Sequence, residues 1–172
     1  MIALQHNVTG EVQIVADAGA YGPEWQLLAD PAPADIATAP YLVQGGALVP
    51  DLATARARQR AIINAARDAA QDGGCDVPGV GRFDTGERAR QFLNGAVAAA
   101  QIAMAQGQPF AVSWTLATND VVQMDGAAII ASGLAVAAHV DAMHQRARVL
   151  KARIEAATTL AEIEAIAWTV AD

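Results

Sequence analysis

Thiols, serines, aromatic rings and N-terminal cations are all scarce in this sequence. With one cysteine, Cys75, among 172 residues, an intrachain disulfide and a thiolate-cluster metal site are excluded. There are two serines, Ser113 in a strand-like run and Ser132 in an alanine-rich one. Neither occupies the strand-turn-helix elbow that exposes a nucleophilic hydroxyl. Aromatics are 5% of the chain while hydrophobic residues are 53%, so much of the apolar content is alanine, which suits closely packed helices. No Lys or Arg occurs before residue 56, whereas Glu11, Asp17, Glu24, Asp30, Asp35 and Asp51 give that segment a charge of -6 out of a total of -7. The cations fall into two groups, Arg56 to Arg90 and Arg146 to Arg153, interleaved with acids and without neighbouring aromatics. A nucleic-acid groove is not expected from that pattern.

Long apolar runs are also missing. Gly126 to Val140 is rich in Ala and Gly and falls short of the roughly 18 to 20 strongly apolar residues of a membrane span. No membrane insertion is expected. The start, Met1 to His6, lacks a basic region followed by an apolar run, so the expected starting compartment is a cytoplasm.

What is present reads as an α+β chain in two parts. Residues 1–51 form a small β-hairpin module expected to dock on a partner. Ile2 and Leu4 alternate before Asn7-Val8-Thr9-Gly10, and Val12 and Ile14 alternate after it; residues 17–40 loosen around Pro31, Pro33 and Pro40; Tyr41-Leu42-Val43 and Ala47-Leu48-Val49 make a second hairpin. Residues 52–172 read as a mainly helical domain with an inserted hairpin and a long C-terminal helix. Asp51 is placed to cap a helix to about Gln71, with Ile62, Ala66 and Ala69 inward. Cys75 to Phe83 is irregular or an edge strand. Asp84, with Glu87 three residues on, is expected to cap a helix facing inward through Phe92, Leu93, Ala96, Ala100 and Met104. Phe110 to Met124 is the clearest hairpin. Asp125 opens a long helix whose Ile130, Leu134, Val140, Met143, Leu150 and Ile154 recur near a 3.5-residue period, a seam for contact within the chain or between copies. Thr159 to Glu162 is a capping box for a last helix through Trp168.

Chemistry finds little support. His139 and His144 are five apart on a helix and diverge by roughly 140°, so they cannot converge on one metal ion; a polar helix face is expected for both. The glycines from Gly79 to Gly86 lack the spacing of a phosphate loop. The carboxylate pairs Asp120 with Asp125 and Glu162 with Glu164 have no cleft to share. No catalytic, cofactor-binding or metal-binding residue is assigned, and no cofactor is expected.

From Ala65-Ala66-Arg67-Asp68 and Gly73-Gly74, through Val80 to Thr85 and the hairpin Ser113-Trp114-Thr115 to Asn119–Asp125, to Leu150–Glu155 and Leu160–Ile166, the order of elements resembles a known family. It is similar to a C-terminal domain of unknown function found in tail, tail-fibre and tail-fibre-assembly proteins of tailed bacteriophages. The resemblance covers about residues 56 to 170. It implies no reaction and no binding residues. It implies a structural protein of the virion tail or baseplate, made in the host cytoplasm, with other tail or fibre proteins as partners and a homo-oligomer, a trimer by default, as its state. An assembly chaperone absent from the mature particle is the alternative.

Overall fold

The structure is a computed structural model that describes residues 1–16, 18–19, 21–36 and 38–169; Asp17, one of the six N-terminal acids, lies outside the described residues. It has both strands and helices, so the α+β class is observed. By internal contacts the chain divides into Met1–Arg60 with Arg153–Ala167, and Ala61–Ala152 with Trp168–Asp172. The division runs through the first and third helices.

In the first unit, β1 (Ile2–His6) and β2 (Val12–Val15) pair antiparallel as the alternation predicts, Ile2 opposite Val15 and Gln5 opposite Val12. A third strand, β3 (Trp25–Ala29), lies on the other side of β1, where the sequence suggested only loosened chain. Its five residues sit between Gly22-Pro23 and Asp30-Pro31, and those turn residues mask a strand whose signal is tertiary. Asn7 N–H donates to Glu24 C=O at 2.7 Å, and the Trp25 ring meets His6 and Tyr21 edge-on at 5.0 and 5.1 Å. The second hairpin, β4 (Tyr41–Gln44) and β5 (Ala47–Pro50), forms where expected, with Gln44 in the strand opposite Ala47 and only Gly45-Gly46 left to the turn.

Asp51 caps α1 (Leu52–Asp72), accepting from Thr54 N–H at 3.0 Å, and this bond holds its carboxyl below the ordinary aspartate range. The inward stripe is one residue out of phase with the expected one. Ile63 is fully buried and Ile62 is 56% exposed, with Ala55 and Gln59 preceding Ile63 on the buried face. Gln59 is polar, so the stripe is hidden from a hydrophobicity count; it counts as core because its amide donates to Ile166 C=O at 2.5 Å. Arg56 likewise donates to Ala157 C=O at 2.8 Å. The last helix, α4 (Leu160–Glu164), opens on the expected capping box, Thr159 with Glu162, but stops at Glu164 rather than Trp168. Leu160, Ile163 and Ile166 are buried.

In the second unit, Cys75 to Phe83 is a regular hairpin, β6 (Cys75–Val77) and β7 (Gly81–Phe83). Gly74, at φ +86°, turns the chain out of α1 so tightly that a Cβ there would lie 2.9 Å from Phe83 C=O. The hairpin leads to α2 (Glu87–Ala105), whose first turn differs from expectation. Gly86 is the N-cap and no side chain caps it, so neither Asp84 nor Glu87 performs the predicted role. The neighbouring Thr85 is the residue the fold uses. It is fully buried; its Oγ1 accepts from Gly74 N–H at 2.8 Å and donates to Gln71 C=O at 2.5 Å. The inward face of α2 carries Leu93 and Ala100, while Phe92 and Met104 are 59% and 55% exposed. β8 (Ala111–Thr115) and β9 (Val121–Asp125) form the predicted hairpin, and Asp125 caps α3 (Gly126–Ala156) through Ala128 N–H at 2.8 Å. The core of this unit is Cys75, Val77, Phe83, Leu93, Leu116, Met124, Ile129 and Val136. Cys75 fills space there, and burial pushes its thiol pKa up, away from the reactive thiolate.

Two outcomes are expected. Thr85→Val keeps the shape but strands a buried N–H and a carbonyl, which should cost about 1–3 kcal/mol and lower the urea midpoint. Glu162 accepts from the backbone and side chains of Thr158 and Thr159, which holds its carboxyl below the usual 4.5. A depressed carboxylate stabilises above its unfolded pKa and loses that contribution as pH falls through the folded value. Amide protection of α4 should therefore decline below about pH 4.5, and Glu162→Gln should flatten the dependence.

Candidate interaction surface

The long helix α3 begins where β9 delivers Asp125 as its cap, so its phase is set at the first turn. Its buried positions are Gly126, Ile129, Ser132, Val136, Ala147, Leu150 and Ile154, spaced by threes and fours except for one step of eleven, which is three turns. Ser132, fully buried, is satisfied by donating to Ala128 C=O at 2.9 Å. Of the residues read as a seam, Leu150 and Ile154 lie on this buried line, while Ile130, Val140 and Met143 are half-buried. Leu134 is 69% exposed. The expected and observed lines coincide in the C-terminal half of the helix and separate by one residue in the first half. There the choice between adjacent Ile129 and Ile130 cannot be made from periodicity. Gly133 lies close to α2, since a Cβ there would meet Val97 Cγ2 at 2.7 Å.

Opposite the buried line, Ala127, Ala131, Leu134, Ala138 and Ala142 are exposed. Alanine also alters the membrane comparison made from sequence. An 18-residue window of α3 reaches a mean hydropathy of 1.5, so the helix is long and apolar enough by composition to cross a membrane. Alanine raises this mean because it counts as apolar on such an index although its single methyl buries little area.

The two helix histidines do not form the free polar face expected of them. His139 Nε2 lies 3.2 Å from Ala70 C=O and His144 Nε2 lies 3.0 Å from Gln71 Oε1, so both meet the last turn of α1. Imidazole N–H groups suit a helix C-terminus, whose final carbonyls lack partners within the helix. Their five-residue separation, which excludes a shared metal, lets each reach a neighbouring residue of α1. Among the described residues no group of three His, Cys, Asp or Glu side chains could hold a metal ion.

Among the described residues of this unit, two concave surfaces bear on function. A cavity of about 400 Å3 between α2 and α3 is lined by residues including Arg90, Leu93, Val136, Val140, Asp141 and Arg148. Its charges are already engaged. Arg90 donates to Thr85 C=O at 2.6 Å and to Asp72 at 2.9 Å, and Asp141 accepts from Gln145 at 2.6 Å with Arg148 at 3.7 Å. A second cleft, of about 300 Å3, is lined by Asp84, Ala89, Phe92, Trp114 and Thr115. It was not legible in the sequence, where Asp84 was given to a helix cap and Phe92 to the core. The available signal was the adjacent pair Phe92-Leu93, of which a helix can bury only one fully.

Helices and antiparallel hairpins in succession define a small α+β architecture. The chain belongs to the family described as a domain of unknown function (DUF4376), whose sequence profile matches residues 54–169. Nothing among curated proteins and nothing among solved structures matches the chain.

The phase of α3 is directly testable. Ile129→Ala should cost about 2–5 kcal/mol, whereas Leu134→Ala at dilute protein concentration should stay within about 0.5 kcal/mol in urea unfolding.

Proposed function

We propose that this chain is a structural component of a bacteriophage tail, associated with fibre or baseplate, acting through contacts with other tail proteins and with copies of itself. The observation that carries the contact role is the outward line of α3, where Leu134 stands 69% exposed among exposed alanines. Small side chains let a second helix approach closely, and a leucine in their midst gains about 1.5–3 kcal/mol on full burial. A trimer is the proposed state, closed by symmetry around such a strip. The tail setting comes from the resemblance across residues 56 to 170, with assembly in the host cytoplasm and residence in the virion tail.

No reaction, cofactor, nucleic acid or membrane insertion enters this reading. The carboxylates that invited an acid-base role have structural work: Asp125 caps α3, Glu162 closes the capping box, and Asp120 accepts from Thr118 at 2.8 Å. A second reading, an assembly chaperone, draws on the absence of Lys and Arg from residues 1–55, an acidic stretch suited to shielding a basic partner surface until assembly.

Mass spectrometry of purified virions should detect this protein. Its absence there, together with co-purification with fibre from infected cells, would select the chaperone, and absence from both would overturn the proposal. Native mass spectrometry of the isolated protein should give an oligomer, and Leu134→Glu should reduce it to a folded monomer.

A further inference from the structure

The cleft beside α2 has properties that a tail-contact role does not use. Phe92 projects from the second turn of α2 and remains 59% exposed, while the next residue, Leu93, is buried. Trp114, on β8, is half-buried and held by stacking on the fully buried Phe83, ring centroids 5.7 Å apart and planes 20° from parallel. One ring is therefore anchored in the core and the other, with the Arg88 guanidinium 5.4 Å from its centroid, stands exposed on the same cleft. At the rim, the exposed Asp84 carboxylate makes no hydrogen bond or ion pair with any described residue, and Thr115 contributes an exposed hydroxyl-bearing side chain. The fold does not need Asp84: the cap it was expected to make is absent, and its neighbour Thr85 ties down the chain.

We propose that this cleft binds one ring of a neutral saccharide. Aromatic faces accept the C–H face of a pyranose, and an ionised carboxylate offers up to four acceptor sites to hydroxyl donors, with a threonine hydroxyl able to donate or accept. Charge selects against the other ligands that aromatics and a carboxylate could take. The Arg88 guanidinium already lies 5.4 Å from the Phe92 ring centroid, so a cationic ligand would meet a resident cation on that ring. An anionic ligand would meet Asp84. A neutral polyhydroxylated ring opposes neither. The volume, about 300 Å3, is at the lower end of small-ligand sites. Exposed to water on one side, such a site should bind in roughly the millimolar range.

The test is ligand-observed saturation-transfer NMR on the full chain with methyl glycosides of glucose, galactose, mannose and N-acetylglucosamine, together with N-acetyl-lysine methylamide as the cationic control. The Trp114 indole N–H signal is followed in parallel. At least one glycoside should receive saturation and shift the Trp114 signal saturably, with the lysine derivative inert. Phe92→Ala should weaken that binding roughly fivefold and Phe92→Trp should preserve it, as expected for an aromatic contact. Asp84→Asn should also weaken it, the far-ultraviolet dichroism of all three variants remaining native. No saturable response to any glycoside up to about 10 mM would overturn the proposal. So would a response to the lysine derivative alone, or binding that Phe92→Ala leaves intact.

Discussion

Where α1 ends, the carbonyl of Gln71 and the amide of Gly74 need partners, and the helix itself supplies neither. One hydroxyl serves both. Thr85 reaches back from the far end of the β6–β7 hairpin, accepts from Gly74 and donates to Gln71, and does so fully buried, where an unmade bond would be costly. Much of the second unit follows from that constraint. The hairpin between them must close in one register, Cys75 opposite Phe83, and α2 must begin directly after it. His139 and His144 add two contacts from α3 to the same last turn of α1, and Arg90 joins Asp72 to the carbonyl of Thr85. A helix end that would otherwise be a weak point thus becomes the place where four elements of this unit meet.

The same constraint has a consequence for the surface. Since Thr85 takes the structural position, Asp84 is turned to solvent, and since Leu93 takes the inward position on α2, Phe92 is turned out beside it. Two adjacent pairs, each able to bury one member, leave an acid and an aromatic ring on one cleft. The proposed saccharide site and the proposed oligomer strip on α3 are separable ideas. One depends on Phe92 and Asp84, the other on Leu134.

Local signals with a strong covalent or hydrogen-bonding cause were legible. Four hairpin strands with short polar or glycine turns, β1–β2 and β8–β9, appeared where alternation put them, and so did β4–β5. Asp51, Asp125 and Thr159 cap the helices they were expected to cap, because a side chain one turn from a free amide needs no tertiary help. The strand Trp25–Ala29 was not legible, since only pairing with β1 makes it a strand.

What the sequence by itself determined is the class, α+β, the caps at Asp51, Asp125 and Thr159, the hairpins β1–β2, β4–β5 and β8–β9, and membership of a family across residues 54–169. Those depend on nearest neighbours and on period. What the tertiary structure decided is phase along the helices, Ile63 over Ile62, Ile129 over Ile130 and Leu93 over Phe92, and, in the turn before α2, Thr85 over Asp84. Adjacent residues on a helix differ by about 100° in direction, so a pair of similar side chains satisfies the periodic pattern with either one inward. Only the partners across the core, and the buried hydrogen bonds that make Gln59, Ser132 and Thr85 acceptable there, remove that degeneracy.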